Sequence, residues 1–162
     1  MKNSQIFYQN IIIDTANLSY VENGTPKQRF NKLVSNVRKY IGSGPQNLEF
    51  CLTYNQLKKH VPNFQSKLVE LFPTSKVIFN VVDMRTIEEY DRNLKTDFDD
   101  LLVLERAAHY YYLNLNYVIA SKDRYRNEIK DNRKLRFCYS QNKKIYEVSF
   151  MCGSHISRTL RY

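Results

Sequence analysis

The sequence predicts an α/β fold, a three-layer α/β/α sandwich with a mostly parallel central sheet. Strand-like and helix-like runs alternate from one end of the chain to the other, and that order requires the crossovers which join parallel strands and place helices on both sheet faces. Turn and cap signals separate the runs, with no internal repeat, low-complexity tract or linker among them. The length, 162 residues, suits one domain with a real core and is short for two.

The elements follow in order. Ile11-Ile12-Ile13 is a β-branched strand that runs straight into Asp14-Thr15-Ala16-Asn17-Leu18. Asn23-Gly24 signals a turn, and Thr25-Pro26 reads as an N-cap followed by proline in the first helical position. The helix that starts there carries Phe30, Leu33, Val34, Val37, Tyr40 and Ile41 at helical spacing, and Gly42 stands where a left-handed C-cap belongs. Residues 47–53 read as the second strand. Residues 63–72 form a second helix with Phe64, Leu68, Leu71 and Phe72 as its buried stripe, stopped by Pro73. The third strand covers 76–82. A long helix at 98–112 has Leu101, Leu104, Ala108 and Tyr111 along one side, and the fourth strand is 117–121.

Beyond that point the pattern changes. A short polar helix is expected at 124–129, then extra strands at 135–139 and 144–150 joined by 140–143; residues 156–162 read equally as an ordered or a frayed tail. One domain therefore spans 1–162, with its core at about 8–129 and C-terminal strands and a basic tail at 130–162.

Charge narrows the partner class. With 25 Lys and Arg against 16 Asp and Glu, the net charge of +9 favours polyanions, and nucleic acid leads among them. Three cysteines, an odd number, and a polar stretch before Ile11 point to a reducing intracellular location, cytoplasm or nucleus. No run approaches the ~20 apolar residues of a membrane span. The bias toward Asn, Lys, Ile, Tyr and Phe suggests an AT-rich coding genome, such as that of a virus or AT-rich microbe.

Acids gather where an α/β sheet binds ligands, beyond the carboxyl ends of its strands. Asp14 ends the first strand, Asp83 follows the third, Asp123 comes two residues after Ser121, and Asp97, Asp99 and Asp100 open the long helix on the same edge. Taken singly, each has an ordinary use: Asp99 and Asp100 complement a helix dipole behind a Thr96 cap, Asp123 caps the next helix, and Asp14 closes a turn. Their convergence on a basic chain needs more. Clustered carboxylates repel unless a proton or a cation intervenes, and an all-oxygen set suits a hard divalent ion such as Mg²⁺ or Mn²⁺. Such an ion activates water and offsets charge on a phosphodiester, so nucleic-acid hydrolysis is the chemistry these parts fit.

Three stretches carry a resemblance: Ile11-Ile-Ile-Asp-Thr-Ala-Asn-Leu18, Asp99-Asp-Leu-Leu-Val-Leu-Glu-Arg-Ala107 and Val118-Ile-Ala-Ser-Lys-Asp-Arg-Tyr-Arg-Asn127. Their order and spacing resemble the PIN-like nucleases, and within them the NYN branch of regnase-type endoribonucleases. The resemblance implies a PIN-like, Rossmann-like domain. It implies an acidic metal centre of Asp14, Asp99, Asp100 and Asp123, with Asn17 placing a ligand, water or phosphate and Ser121 supporting the loop of Asp123. It further implies water attack on a phosphodiester with a 5′-phosphate on the downstream fragment. Lys122 and Asn127 depart from the regnase-type pattern, and both remove negative charge from the rim. Lys122, Arg124 and Arg126 can instead grip phosphate.

Other motifs carry less. Cys152-Gly-Ser-His155 is half a zinc site without a second half, Gly42-Ser-Gly44 is no dinucleotide fingerprint, and Ala16 stands where a haloacid-dehalogenase phosphatase needs its second acid. Tyr110, Tyr111 and Tyr112 fit core or partner packing better than base stacking. Lys130, Arg133, Lys134, Arg136, Lys143 and Lys144 can extend an RNA track.

The expectation is a metal-dependent endoribonuclease acting on single-stranded RNA, with DNA open because nothing reads a 2′-hydroxyl. The alternative is a PIN-like domain that binds RNA or protein without cutting. Either leaves room for a homo-oligomer or a protein partner.

Overall fold

The computed structural model describes residues 7–82, 98–122, 147–152 and 156–161. The elements are β1 (Asn10–Asp14), α1 (Thr15–Ser19), α2 (Pro26–Arg38), β2 (Asn47–Thr53), α3 (Tyr54–Lys58), α4 (Phe64–Leu71), β3 (Lys76–Val82), α5 (Phe98–Tyr112), β4 (Tyr117–Ala120), β5 (Glu147–Cys152) and β6 (Ile156–Arg161). Strands β1 to β4 form one parallel sheet in the order β3-β2-β1-β4, an α/β fold. β5 and β6 pair antiparallel, separately.

Register places the core. Ile13 lies between Phe50 and Ala120, and Ile11 between Leu48 and Val118, so these side chains share one face of the pleat. On that face they meet Leu33 and Val37 of α2 with Phe64, Leu68 and Phe72 of the α4 region, all buried. Removing each such side chain from water contributes roughly 1.5–3 kcal/mol. The opposite pleat carries Ile12, Asp14, Glu49 and Cys51, and there Glu49 pairs with Arg106 of α5 at 2.8 Å.

Local chemistry explains most boundaries. Thr25 and Gln28 form a capping box on α2, each side chain accepting from the other's backbone N–H at 3.2 and 2.9 Å, with Pro26 in the first turn. The turn at Asn23 has φ 53°, and a Cβ on Gly24 would lie 2.7 Å from Val21 Cβ, so only glycine fits there. Among the described residues no helix is long and apolar enough to cross a membrane.

Several sequence expectations change. Helix α2 ends at Arg38, three residues before the tail of the predicted stripe, with Lys39 as a right-handed cap; Gly42 is not the left-handed C-cap. Its NH donates instead to Gln46 Oε1 at 2.9 Å. The buried stripe of α5 is Val103, Leu104, Ala107 and Tyr110, whereas Tyr111 is exposed. Leu104 is buried as expected, and of the adjacent tyrosines it is Tyr110 that packs inward. The side chains of Leu101 and Ala108 lie outside the described residues. Leu71, expected in the α4 stripe, is exposed. At the C-terminus residues 147–152 pair with 156–161, so the tail is a strand; 124–129 and 135–139 lie outside the described residues.

The sheet order fixes where a ligand belongs. From β1 the chain steps outward to β2 and β3, then returns to place β4 on the other side of β1. The switch point is thus the crevice at the carboxyl ends of β1 and β4.

Candidate metal centre

Asp14 is the last residue of β1 and stands at that switch point. Asp99 and Asp100 occupy the first turn of α5. Asp99 precedes Val103 by one helical step of four residues and Asp100 precedes Leu104 likewise, so the two acids prolong the helix's buried stripe past the apolar part of the sheet. One carboxylate oxygen from each of the three residues lies within 4.8 Å of the others. The residues are 1%, 7% and 8% exposed.

Magnitude decides what such a cluster requires. At 4.8 Å and an effective dielectric of ~20, each pair of ionised carboxylates repels by about 3.5 kcal/mol, or about 10 kcal/mol for the three pairs. That is comparable with the whole stability of a domain. Hydrogen-bond donors and protein cations, bound protons or a metal cation can offset it, and three oxygen donors without sulfur or imidazole suit Mg²⁺ or Mn²⁺.

The carboxylates are held in place from outside. Ser121 Oγ donates to Asp14 Oδ2 at 3.0 Å, and Asp14 Oδ1 caps α1 by accepting from the Asn17 backbone N–H at 3.4 Å. Gln56 Nε2 donates to Asp99 Oδ2 at 3.2 Å. The same Gln56 closes the capping box of α3, its Oε1 accepting from Thr53 N at 2.8 Å, so the strand end of β2 and the acid of α5 share one amide side chain.

Of the residues singled out in the sequence, Asp14, Asp99, Asp100 and Ser121 come together. Asn17 lies beside them, and its Oδ1 accepts from the Lys122 backbone N–H at 2.8 Å; this ties α1 to the segment leaving β4. The Lys122 side chain is exposed. Asp83, Asp97, Asp123, Arg124 and Arg126 lie outside the described residues.

Sequence reasoning missed Gln56. The Thr53-x-x-Gln56 signature of a capping box was legible, but the reach of Gln56 to an acid 43 residues later was not. It also missed the polar network under α5. Arg106 donates to Glu49 Oε1 through Nε at 3.0 Å, and Asn80 Nδ2 donates to the same oxygen at 3.2 Å. Burial, reinforced by Glu49, pushes the Tyr110 phenol up to about 12. Cys51, fully buried beside Asn80, has its thiol pushed far up by burial, which makes it an inert core residue and no nucleophile.

Comparison of the chain with protein-family models, with curated proteins and with solved structures gave no match.

Proposed function

We propose that this protein is a metal-dependent endoribonuclease of the PIN-like superfamily, NYN branch, with the three-layer α/β/α architecture of that group. One observation carries the reading: three buried carboxylates converge at the switch point of a parallel sheet in a chain whose net charge is +9. Three acids from two distant segments meeting at the end of β1 are a ready set of oxygen donors for a hard cation.

In this reading Asp14, Asp99 and Asp100 hold Mg²⁺ or Mn²⁺, joined by Asp123 as the resemblance implies. When bound, such an ion lowers the pKa of a coordinated water and offsets charge on a phosphodiester. Ser121 and Gln56 fix the directions of the Asp14 and Asp99 carboxylates, so the donor set is ordered before any ligand arrives. Lys122, Arg124 and Arg126 are the phosphate-gripping candidates beside it. RNA is the proposed substrate, with DNA open.

A second reading, an RNA- or protein-binding module without cleavage, is favoured by the engagement of Asn17 Oδ1 with the Lys122 amide, which withholds that oxygen from a ligand. Cleavage decides between them. Labelled single-stranded RNA and DNA of one sequence are incubated with the protein and Mn²⁺. The nuclease reading expects RNA cleavage that Asp14→Asn abolishes while the melting curve persists. Cleavage unchanged in Asp14→Asn contradicts the assigned centre; RNA binding without cleavage at any Mn²⁺ concentration favours the module.

A further inference from the structure

The positive charge is not spread evenly. Residues 26–72 hold eight Lys and Arg against two Glu, a net +6; residues 123–162 hold ten against four Asp and Glu, also +6; the remainder is −3, which restores the total of +9. The first block folds as α2, β2, α3 and α4. Its strand contributes only Glu49, buried and paired with Arg106, so the cations belong to the helices and their loops.

Those helices lie on one side of the sheet and touch one another. Phe30 of α2 meets Phe64 of α4 edge to face at 6.0 Å, and His60 stacks on Phe64 at 4.1 Å. Arg29 of α2 is close enough to help hold the His60 imidazole below its usual range, after burial itself. Between α3 and α4 opens a groove of about 470 Å³ lined by Lys58, His60, Asn63, Gln65 and Ser66 among others. Lys27, Lys32, Arg38, Lys39, Lys58, Lys59 and Lys67 are exposed on this layer. Among the described residues none of them is in a salt bridge. An exposed layer with this many unneutralised cations and one exposed acid, Glu70, is complementary to a polyanion and to little else.

Position adds to charge. The five-residue helix that carries Lys58 at its end also carries Gln56, which is bonded to Asp99. The groove and the acid centre are thus neighbours along α3, at the carboxyl end of β2. We infer that the outer layer of α2, α3 and α4 is a nucleic-acid backbone track that delivers a strand, through the Lys58–His60 groove, to the acid centre. The inference deepens the ribonuclease reading by placing the substrate, and it concerns phosphate contacts alone.

The test is binding without chemistry. Fluorescence anisotropy of a labelled single-stranded RNA is measured in EDTA over a salt series for the full chain and for Lys58→Glu, Lys32→Glu and Lys76→Glu, with melting curves confirming folding. Lys76, the first residue of β3, lies at the amino end of the strands, the end remote from the Lys58–His60 groove and the acid centre, and matches the charge change. Lys58→Glu and Lys32→Glu are expected to weaken binding about fivefold or more and to lower the log Kd–log salt slope by ~0.7 for each phosphate no longer neutralised, while Lys76→Glu changes little. If Lys58→Glu fails to fold, Lys58→Gln replaces it, with the smaller loss expected. Equal weakening by Lys76→Glu would assign binding to net charge, and wild-type affinity in the track variants would assign it elsewhere; either result overturns the track. Because no divalent ion is present, failure here leaves the cleavage test untouched, and a protein that does not cut RNA can still pass.

Discussion

Asp100→Asn should make the metal-free protein more stable and blind to divalent ions at the same time. The ceiling on the first effect follows from the geometry. With the three acids within 4.8 Å, full ionisation costs about 10 kcal/mol, and taking up one proton at pH 7 costs an ordinary carboxyl ~4 kcal/mol while leaving one repelling pair of about 3.5 kcal/mol. On pairwise repulsion alone the metal-free site would stand at ~7.5 kcal/mol and a site with two acids at ~3.5 kcal/mol, both before the hydrogen bonds these acids accept offset part of the repulsion. Neutralising Asp100 recovers at most ~4 kcal/mol, and we expect roughly 1–3 once the burial of the new amide is counted. In a domain of this size each kcal/mol moves Tm by ~2–4 °C, so the variant should melt several degrees higher in EDTA. The second effect follows from linkage: ~1 mM Mn²⁺ acting on a site with Kd ~10 μM stabilises the wild type by about 2.7 kcal/mol, and the variant should show little of this. Thermal melts in EDTA and in Mn²⁺, run side by side, read both. A variant that melts lower in EDTA and still gains with Mn²⁺ would refute the reasoning, since the acids would then be structural.

Gln56→Glu retains the capping box, because Glu serves in that position as Gln does, but it replaces the donor to Asp99 with a fourth carboxylate. It should melt lower in EDTA and bind Mn²⁺ on the order of tenfold tighter by calorimetry, a ~1.4 kcal/mol change; weaker binding would show that the amide's donor matters more than added charge. His60 is held neutral by burial and by Arg29, with its folded pKa below the unfolded value, so the unfolded chain takes up the proton first as pH falls and stability is lost below about 6.5. His60→Phe keeps the stack on Phe64 and should shrink the drop in Tm between about pH 7.5 and 5.5; an unchanged drop would remove His60 as its source. Cys51 should resist iodoacetamide in the native protein at about pH 8, read by peptide mass spectrometry, and react only on unfolding. Native labelling would contradict its burial.

The strands and the long helix were legible because each is a run with a clear period. Ile11 to Ile13, residues 47–53 and residues 76–82 needed no tertiary information. The two short helices were not. α1 and α3 are five residues each, too brief for a periodic signal, and they exist because Asp14 and Thr53 cap the turn that leaves a strand. In α5 Leu104 is buried as expected and Tyr111 is not: the adjacent tyrosines at 110 and 111 give no hydrophobic preference, and Tyr110 is the one turned inward. At the candidate site, Asp14 with the pair at 99 and 100 could be placed on one rim from the topology rule, and Ser121 followed from its strand end. The partners of those acids depend on side chains meeting across 43 and 107 residues of sequence, Gln56 with Asp99 and Ser121 with Asp14, and no local pattern encodes that. The direction taken by Asn17, toward the Lys122 amide, belongs to the same class.

The central claim is that Asp14, Asp99 and Asp100 close around a divalent cation. Mn²⁺ binding followed by the loss of its free-ion electron paramagnetic resonance signal tests this most directly, on the wild type and on Asp14→Asn, a substitution that keeps the cap on α1 because asparagine caps as well as aspartate. The wild type should remove Mn²⁺ from solution saturably, and Asp14→Asn should bind at least tenfold more weakly while melting as a folded protein. Equal binding by the two proteins, or none by the wild type at millimolar Mn²⁺, would contradict the account.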